Sequence, residues 1–345
     1  VRRNENAFIP ADDPLPDLLK DHAPTLWAAR ETSQQLLAGL ARALTQNAGA
    51  LAGIETVIAA GSLGRLETHA GSDFDGILIA RPGGPSTVPG DMFDIVAACG
   101  LKPPKADGIY RATITAETLC RLSARGSLDE PPAHFGKRMQ VLLDARAVTG
   151  EAAFRQLQRE ILDWYAGDSI SRYPDAQWTL LINDLSRYLH AYAGWQQFKC
   201  ARSDDDGWYL RQAKLRGSRM LTFAGLLLLL GESSVLGADK RAWVAARLGL
   251  SPLARVAAVM QPRDAAAFQR VLTDYEAVHA LLATPAVREE LVARSPGPDA
   301  PADGEFPASY ARIHEHSGRL LRELSQFVLA RRADWHPDFF SYLLF

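Results

Sequence analysis

The 345-residue sequence is short of several things, and each shortage narrows what the chain is expected to be. Its three cysteines, Cys99, Cys120 and Cys200, are scattered and odd in number. They form neither a disulfide framework nor a metal knuckle, and a reducing, cytoplasmic compartment is expected. Excess charge of one sign is missing too. Lys and Arg number 38 against 40 Asp and Glu, a net charge of −2, so no global pull toward long nucleic acid or an anionic membrane is expected. The longest apolar run, Leu221 to Leu230, holds Thr222 and Gly225 and is too short to span a bilayer, so it reads as a buried helix. There is no internal repeat. The opening residues, Val1-Arg2-Arg3-Asn4-Glu5-Asn6, contain no apolar leader-like run and no initiating Met, so the numbering is expected to begin inside a longer protein.

What is present divides near Gly150. Residues 1–22 are rich in Pro and Asp and read as an extended arm. Residues 23–150 alternate helical and strand patterns. A helix is expected over Pro24–Gln46 and strands over Thr56–Ala60, Asp75–Ala80 and Ile109–Thr115. A helical turn is expected over Arg65–His69, with short helices over Asp91–Cys99 and Thr115–Ser123. Phe135–Val148 fits helix or strand. From Glu151 to the end every periodic segment is helical, apart from a low-complexity loop at residues 296–307. The expected fold class is α+β: a small mixed sheet with helices, followed by an all-α helical bundle over 151–345. A cleft between the two parts is the natural place for a ligand.

The most informative stretch runs from Val57 to Asp75. An apolar strand enters the turn Gly61-Ser62. Gly64-Arg65 and Glu67 follow, then a second turn at Gly71-Ser72, then Asp73-Phe74-Asp75. If the ligand is a nucleoside triphosphate with Mg²⁺, each part has a task. Gly61 and Gly64 let the backbone approach phosphate oxygens, and Ser62 adds a hydroxyl donor. Asp73 and Asp75 stand at i and i+2, so on a strand they face one side, roughly 6–7 Å apart, while Phe74 faces the core. Two carboxylates that close repel each other unless a cation lies between them. Mg²⁺, or Mn²⁺ in its place, takes one or two such groups together with phosphate oxygens. The plain alternative is a Gly-Ser turn between strands with two solvated acids.

This pattern resembles the active-site motif of the DNA polymerase β-like nucleotidyltransferase superfamily. The Gly64-Arg65-x-Glu67 spacing and the Ser72-Asp73-x-Asp75 close are most similar to the branch of protein-PII uridylyltransferases and related signalling nucleotidyltransferases. The likeness covers about twenty residues. Leu66 stands where a glycine is common, and Gly76 where an aliphatic residue is common, which is expected to loosen the strand. The resemblance implies transfer of a nucleoside monophosphate from an NTP to a hydroxyl, with pyrophosphate released. Asp73 and Asp75 would hold the metal, and Gly61, Ser62, Gly64 and Arg65 the nucleotide. The acceptor would be a protein side chain such as Tyr, or a small molecule. The competing class is an inactive nucleotide sensor or scaffold on the same fold.

A third carboxylate often completes such sites, and Asp94, Asp107 and Asp144 are the candidates. Leu142–Gly150 resembles a segment that follows the sheet in the uridylyltransferase-like branch, which singles out Asp144 as catalytic and makes Arg146 worth naming; equally, Asp144 pairs structurally with an Arg. In the helical half, Arg211, Lys214 and Ser218 recur at i, i+3 and i+7 and suit a triphosphate tail, or else form an ordinary solvated basic face. Asn183-Asp184 with Arg187 and Tyr188 either lines the cleft or knits helices together. The aromatic run Trp335–Phe345 either docks on the body or binds a partner.

Overall fold

A strand, a glycine and a short helix set the geometry of the molecule. A computed structural model describes residues 11–69, 72–105, 108–200, 207–293 and 306–344. The chain begins with α1 (Leu15–His22) and α2 (Pro24–Gln46). The expected extended arm is therefore helical from Leu15. Pro14 precedes that helix and Pro16 lies in its first turn, where a missing N–H breaks no helical bond. Then come β1 (Ile54–Ala60), α3 (Gly61–Arg65), β2 (Asp75–Ala80) and α4 (Gly90–Ala98).

Ile109–Thr115 is not a strand. It makes a 3₁₀ turn over Ile109–Arg111 and then touches β2 through a single parallel bridge, Ile79 with Ile114. The short α5 (Ala116–Leu119) follows, its first turn capped by Thr115 Oγ1, which accepts from Thr118 N at 3.1 Å. The ambiguous Phe135–Val148 stretch is both elements in turn: α6 (Pro132–Leu143) and β3 (Arg146–Thr149).

Helices account for the rest. They are α7 (Glu151–Ala166), α8 (Ser169–Arg172), α9 (Thr179–Cys200), α10 (Trp208–Lys214) and α11 (Met220–Ser233). After them come α12 (Lys240–Arg247), α13 (Pro252–Met260), α14 (Ala265–Ala283), α15 (Pro285–Ala293), α16 (Ala308–Ala330) and α17 (Pro337–Leu344). Between α10 and α11, Leu215–Arg219 winds as a π-turn. Most of the low-complexity loop expected at residues 296–307 lies outside the described residues.

The sheet has order β2-β1-β3 and is antiparallel, not mixed: Ile58 pairs with Ile77 on one side and with Ala147 on the other. Parallel contacts survive only as single bridges, one of which joins Asp73 to Lys102. Successive side chains of β1 and β2 alternate between two cores, as the two-residue period requires. Val57, Ala59, Leu78 and Ala80 pack with Leu40 and Leu44 of α2 and Met92 and Val96 of α4. Ile58, Ala60, Ile77 and Ile79 join the larger core, which draws Phe154, Ile161, Leu226, Val256 and Phe268 from the helices beyond Gly150. A smaller third core, built on Ala213, Val278, Leu291 and Ile313, ties α10, α14, α15 and α16 together.

Leu221 to Leu230 is the buried helix expected of it, with Leu221, Leu226, Leu229 and Leu230 fully enclosed. Among the described residues, no helix is long and apolar enough to cross a membrane. The C-terminal aromatic run docks. Trp335 and Phe339 are buried, and Trp335 Nε1 donates to Glu232 Oε2 at 3.1 Å. Asp184 belongs to an interhelical network, accepting from Tyr165 Oη at 2.8 Å.

Candidate active site

β1 delivers the chain to Gly61, whose φ of +66° only glycine adopts without strain. The turn places Gly61 beside Asp75, because Ala60 and Asp75 are paired across the sheet. A Cβ on Gly61 would collide with Asp75 Oδ2. The helix thus starts at Gly61, not at Arg65 as expected, and it ends at Arg65 with Leu66 in the left-handed region at φ +65°. A glycine suits that conformation. Leu66 adopts it at a cost of about 1–2 kcal/mol and offsets part of it by burying its side chain.

Gly64 has a different task from the expected one. A Cβ there would strike the backbone carbonyls of Asp144 and Ala59, so Gly64 lets α3 pack against β1 and the start of β3. Gly76 likewise does not loosen β2. It leaves space for the Phe74 ring, which folds across it and is fully buried.

Arg65 lines the main cavity, as expected of it, and is at the same time ion-paired with two carboxylates. Arg65 donates through Nε to Glu67 Oε2 at 2.7 Å and through Nη1 to Asp144 Oδ2 at 2.8 Å, all three side chains being buried. Burial alone would lower the Arg65 pKa, but Glu67 and Asp144 outweigh it and hold the guanidinium above its ordinary range. Asp144 does not line the main cavity. It borders a small neighbouring one with Tyr188 and Arg219. The expected structural pairing with an Arg is therefore present, while Asp144 still lies near enough to Asp75 to raise its pKa. Asp94 is exposed and does not line the cavity, and Asp107 lies outside the described residues.

The main cavity measures about 410 Å³. Ser62, Asp73 and Asp75 line it. Lys214 and Ser218, Arg288 from α15 and Lys102, which is bridged to Asp73, line it as well. Asp73 is exposed and Asp75 half-buried. Burial pushes the Asp75 carboxyl up to about 6; Arg219 opposes the shift, and Asp144 and Asp73 add to it. Burial, then Arg288 and Arg219, pushes the Lys214 ammonium down to about 8. Both groups therefore sit where an added countercharge is favourable.

The expected trio of Arg211, Lys214 and Ser218 is only partly assembled: Lys214 and Ser218 line the cavity and Arg211 does not. Leu210 takes its place, so the lining residues step by four along the helix. At about 100° per residue, a step of three falls about 60° short of a turn, and a step of four overshoots by about 40°. The wide π-turn over Leu215–Arg219 favours the longer step and carries Arg219 into the cavity as well. Burial would lower the Arg219 pKa, yet Tyr192, Tyr188, Asp144 and Asp75 hold it above its ordinary range.

Sequence reasoning missed Arg219, Lys102, Arg288 and the apolar patch of Leu210, Val278 and Leu282. Lys102 and Arg288 are single cations in unremarkable contexts, and nothing local marks them. Arg219 closes the very segment that held the trio, but in a regular helix it would face elsewhere.

Asp73, Asp75 and Glu67 are the acids that line this cavity, and Glu67 is ion-paired with Arg65. Among the described residues, no group of three or more His, Cys, Asp or Glu is arranged to hold a metal. Two carboxylates, one of them short of countercharge, sharing about 410 Å³ of space with cationic groups, fit a Mg²⁺ that arrives with a polyphosphate rather than a resident metal in a protein cage. No protein-family model, curated protein or solved structure matches the chain.

Proposed function

We propose that the chain is a Mg²⁺-dependent nucleotidyltransferase that moves a nucleoside monophosphate from an NTP to a hydroxyl acceptor. The observation that carries this reading is that Asp73 and Asp75 share one cavity with Lys214, Lys102 and Arg288. Acids and cations lining the same cavity suit a triphosphate that carries its own divalent ion, and neither a bare anion nor a bare cation needs both.

Asp73 and Asp75 would hold Mg²⁺, or Mn²⁺ in its place; when bound, the ion neutralises phosphate charge and lowers the pKa of a bound hydroxyl. Lys214, Lys102 and Arg288 take the charge of the departing pyrophosphate. Ser62 offers a hydroxyl donor at the turn. Leu210, Val278 and Leu282 present the apolar surface that a nucleobase requires. The acceptor oxygen forms a bond to the α-phosphorus as the bond to pyrophosphate breaks. Most of the rate comes from positioning and charge stabilisation. A protein hydroxyl such as a Tyr side chain is the favoured acceptor, as in uridylylation or adenylylation; a small molecule is the other.

One observation favours an inactive nucleotide sensor or scaffold instead: Asp144 is tied to Arg65, so the pair of acids lacks a free third partner. Incubation with each of the four labelled NTPs, Mg²⁺ and a cell lysate separates the two readings. Label that moves to protein or small molecules with pyrophosphate release, and is lost in Asp73→Asn, supports transfer. Saturable nucleotide binding with no pyrophosphate from any NTP sinks it.

A further inference from the structure

We propose that the reverse side of α3, away from the Asp73/Asp75 cleft, carries a second site, which binds a small oxyanion through Arg146 and Arg155. The site is a cavity of about 230 Å³ bordered by Gln34, Leu66, Arg146, Glu151, Phe154 and Arg155. It shares no lining residue with the cleft.

The charges around it do not balance. Arg30 is paired with Asp13 at 2.6 Å, and Arg155 with Glu151 at 2.6 Å. Arg146 has no carboxylate partner among the described residues. Its one hydrogen bond there runs from Nε to the Gly64 carbonyl at 3.0 Å. Three guanidinium groups thus share two carboxylates, and the unmatched one borders a cavity with room for several heavy atoms. Burial, then Arg30, pushes the Arg146 pKa down to about 10 against the pull of Asp13, as expected of a cation short of countercharge. Arg155 lies over Gly249, its guanidinium in the space a Cβ there would take.

Guanidinium forks match the two oxygens of a carboxylate or a phosphate. The cavity therefore suits a free inorganic phosphate or the carboxylate or phosphate group of a small metabolite. It does not suit a polymer, since Leu66 and Phe154 close its apolar side. An anion here would act on the guanidinium that holds the Gly64 carbonyl, one residue from Arg65. Binding at this site does not depend on the proposed nucleotidyl transfer.

The test uses the full chain. Crystals soaked in tungstate are expected to show anomalous density beside Arg146, and density confined to the Asp73/Lys214 cleft would overturn the site. In solution, inorganic phosphate and, separately, acetate are titrated calorimetrically against Lys214→Gln, which weakens the cleft, and against the same variant with Arg146→Gln added. Loss of at least tenfold in affinity for either anion on adding Arg146→Gln supports the site. Retention by Arg146→Lys shows that the charge is responsible rather than misfolding. Unchanged binding of both anions overturns it. Phosphate alone, acetate alone or both binding in the Lys214→Gln background identifies which anion the site takes.

Discussion

Gly61 and Asp75 compete for one space: the absence of a side chain at Gly61 is what leaves room for the Asp75 carboxylate. The glycine turn and the acid pair, 14 positions apart, are therefore a single device. Gly61→Ala should disturb both parts of it. Alanine at φ +66° costs about 1–2 kcal/mol, visible as a lower urea midpoint. The displaced carboxylate should lower nucleotidyl transfer by on the order of a hundredfold. A folded Gly61→Ala protein with the parental transfer rate would contradict the device.

Asp75 should make stability depend on pH in an unusual direction. Its carboxyl titrates at about 6 in the fold against 3.8 for an unperturbed group. The folded state therefore holds this proton more tightly than the unfolded chain. The contribution is fully present below about pH 4 and is lost as pH rises through 6. Without divalent cations, Asp75→Asn should be more stable than the parent at pH 7.5, by at most roughly 3 kcal/mol, and nearly equal to it at pH 4. Denaturant midpoints at the two pH values provide the check, and a less stable Asn variant at pH 7.5 would refute the assignment.

Arg65 should matter more to folding than to nucleotide binding. Arg65→Met strands the buried Glu67 and Asp144 carboxylates and should cost about 3–5 kcal/mol. Adding Asp144→Asn should recover part of that loss. A double-mutant cycle measures the recovery, and coupling under about 0.5 kcal/mol would mean that the pair is not energetically linked.

Lys214 should discriminate triphosphate from monophosphate. Loss of one charge-assisted contact, worth about 1.5–3 kcal/mol, predicts roughly tenfold to hundredfold weaker NTP binding in Lys214→Gln, with NMP little affected. Because the ammonium titrates near 8 in the free protein, NTP affinity should also fall between pH 7 and 9 in the parent and not in the variant. Fluorescent-nucleotide displacement at both pH values tests this. An equal loss for NMP and NTP would place Lys214 away from the phosphate tail.

Much of the fold was legible because it is locally encoded. The long amphipathic helices α2, α7, α14 and α16 follow their apolar periodicity, and α2 spans the residues expected of it. Ile109–Thr115 misled because its alternating pattern is spent on a 3₁₀ turn and one bridge rather than a ladder. In the site, Asp73 and Asp75 both line the cavity, although only Asp75 lies on β2 and Asp73, expected on the same strand, makes a single bridge to Lys102 instead. The i, i+3, i+7 face of Arg211, Lys214 and Ser218 was readable only in part: Lys214 and Ser218 line the cavity and Arg211 does not.

The sequence by itself determined the glycine turn, the paired acids and the all-helical second half, because backbone freedom at Gly61 and the periods of strand and helix are local properties. It took the tertiary structure to show that Asp144, 79 residues from Arg65, is that residue's ion-pair partner. Likewise it brought Lys102 and Arg288 to the cleft and left Arg146 without a carboxylate among the described residues. Charge pairing depends on distance and burial in space, and no local pattern in the chain encodes either.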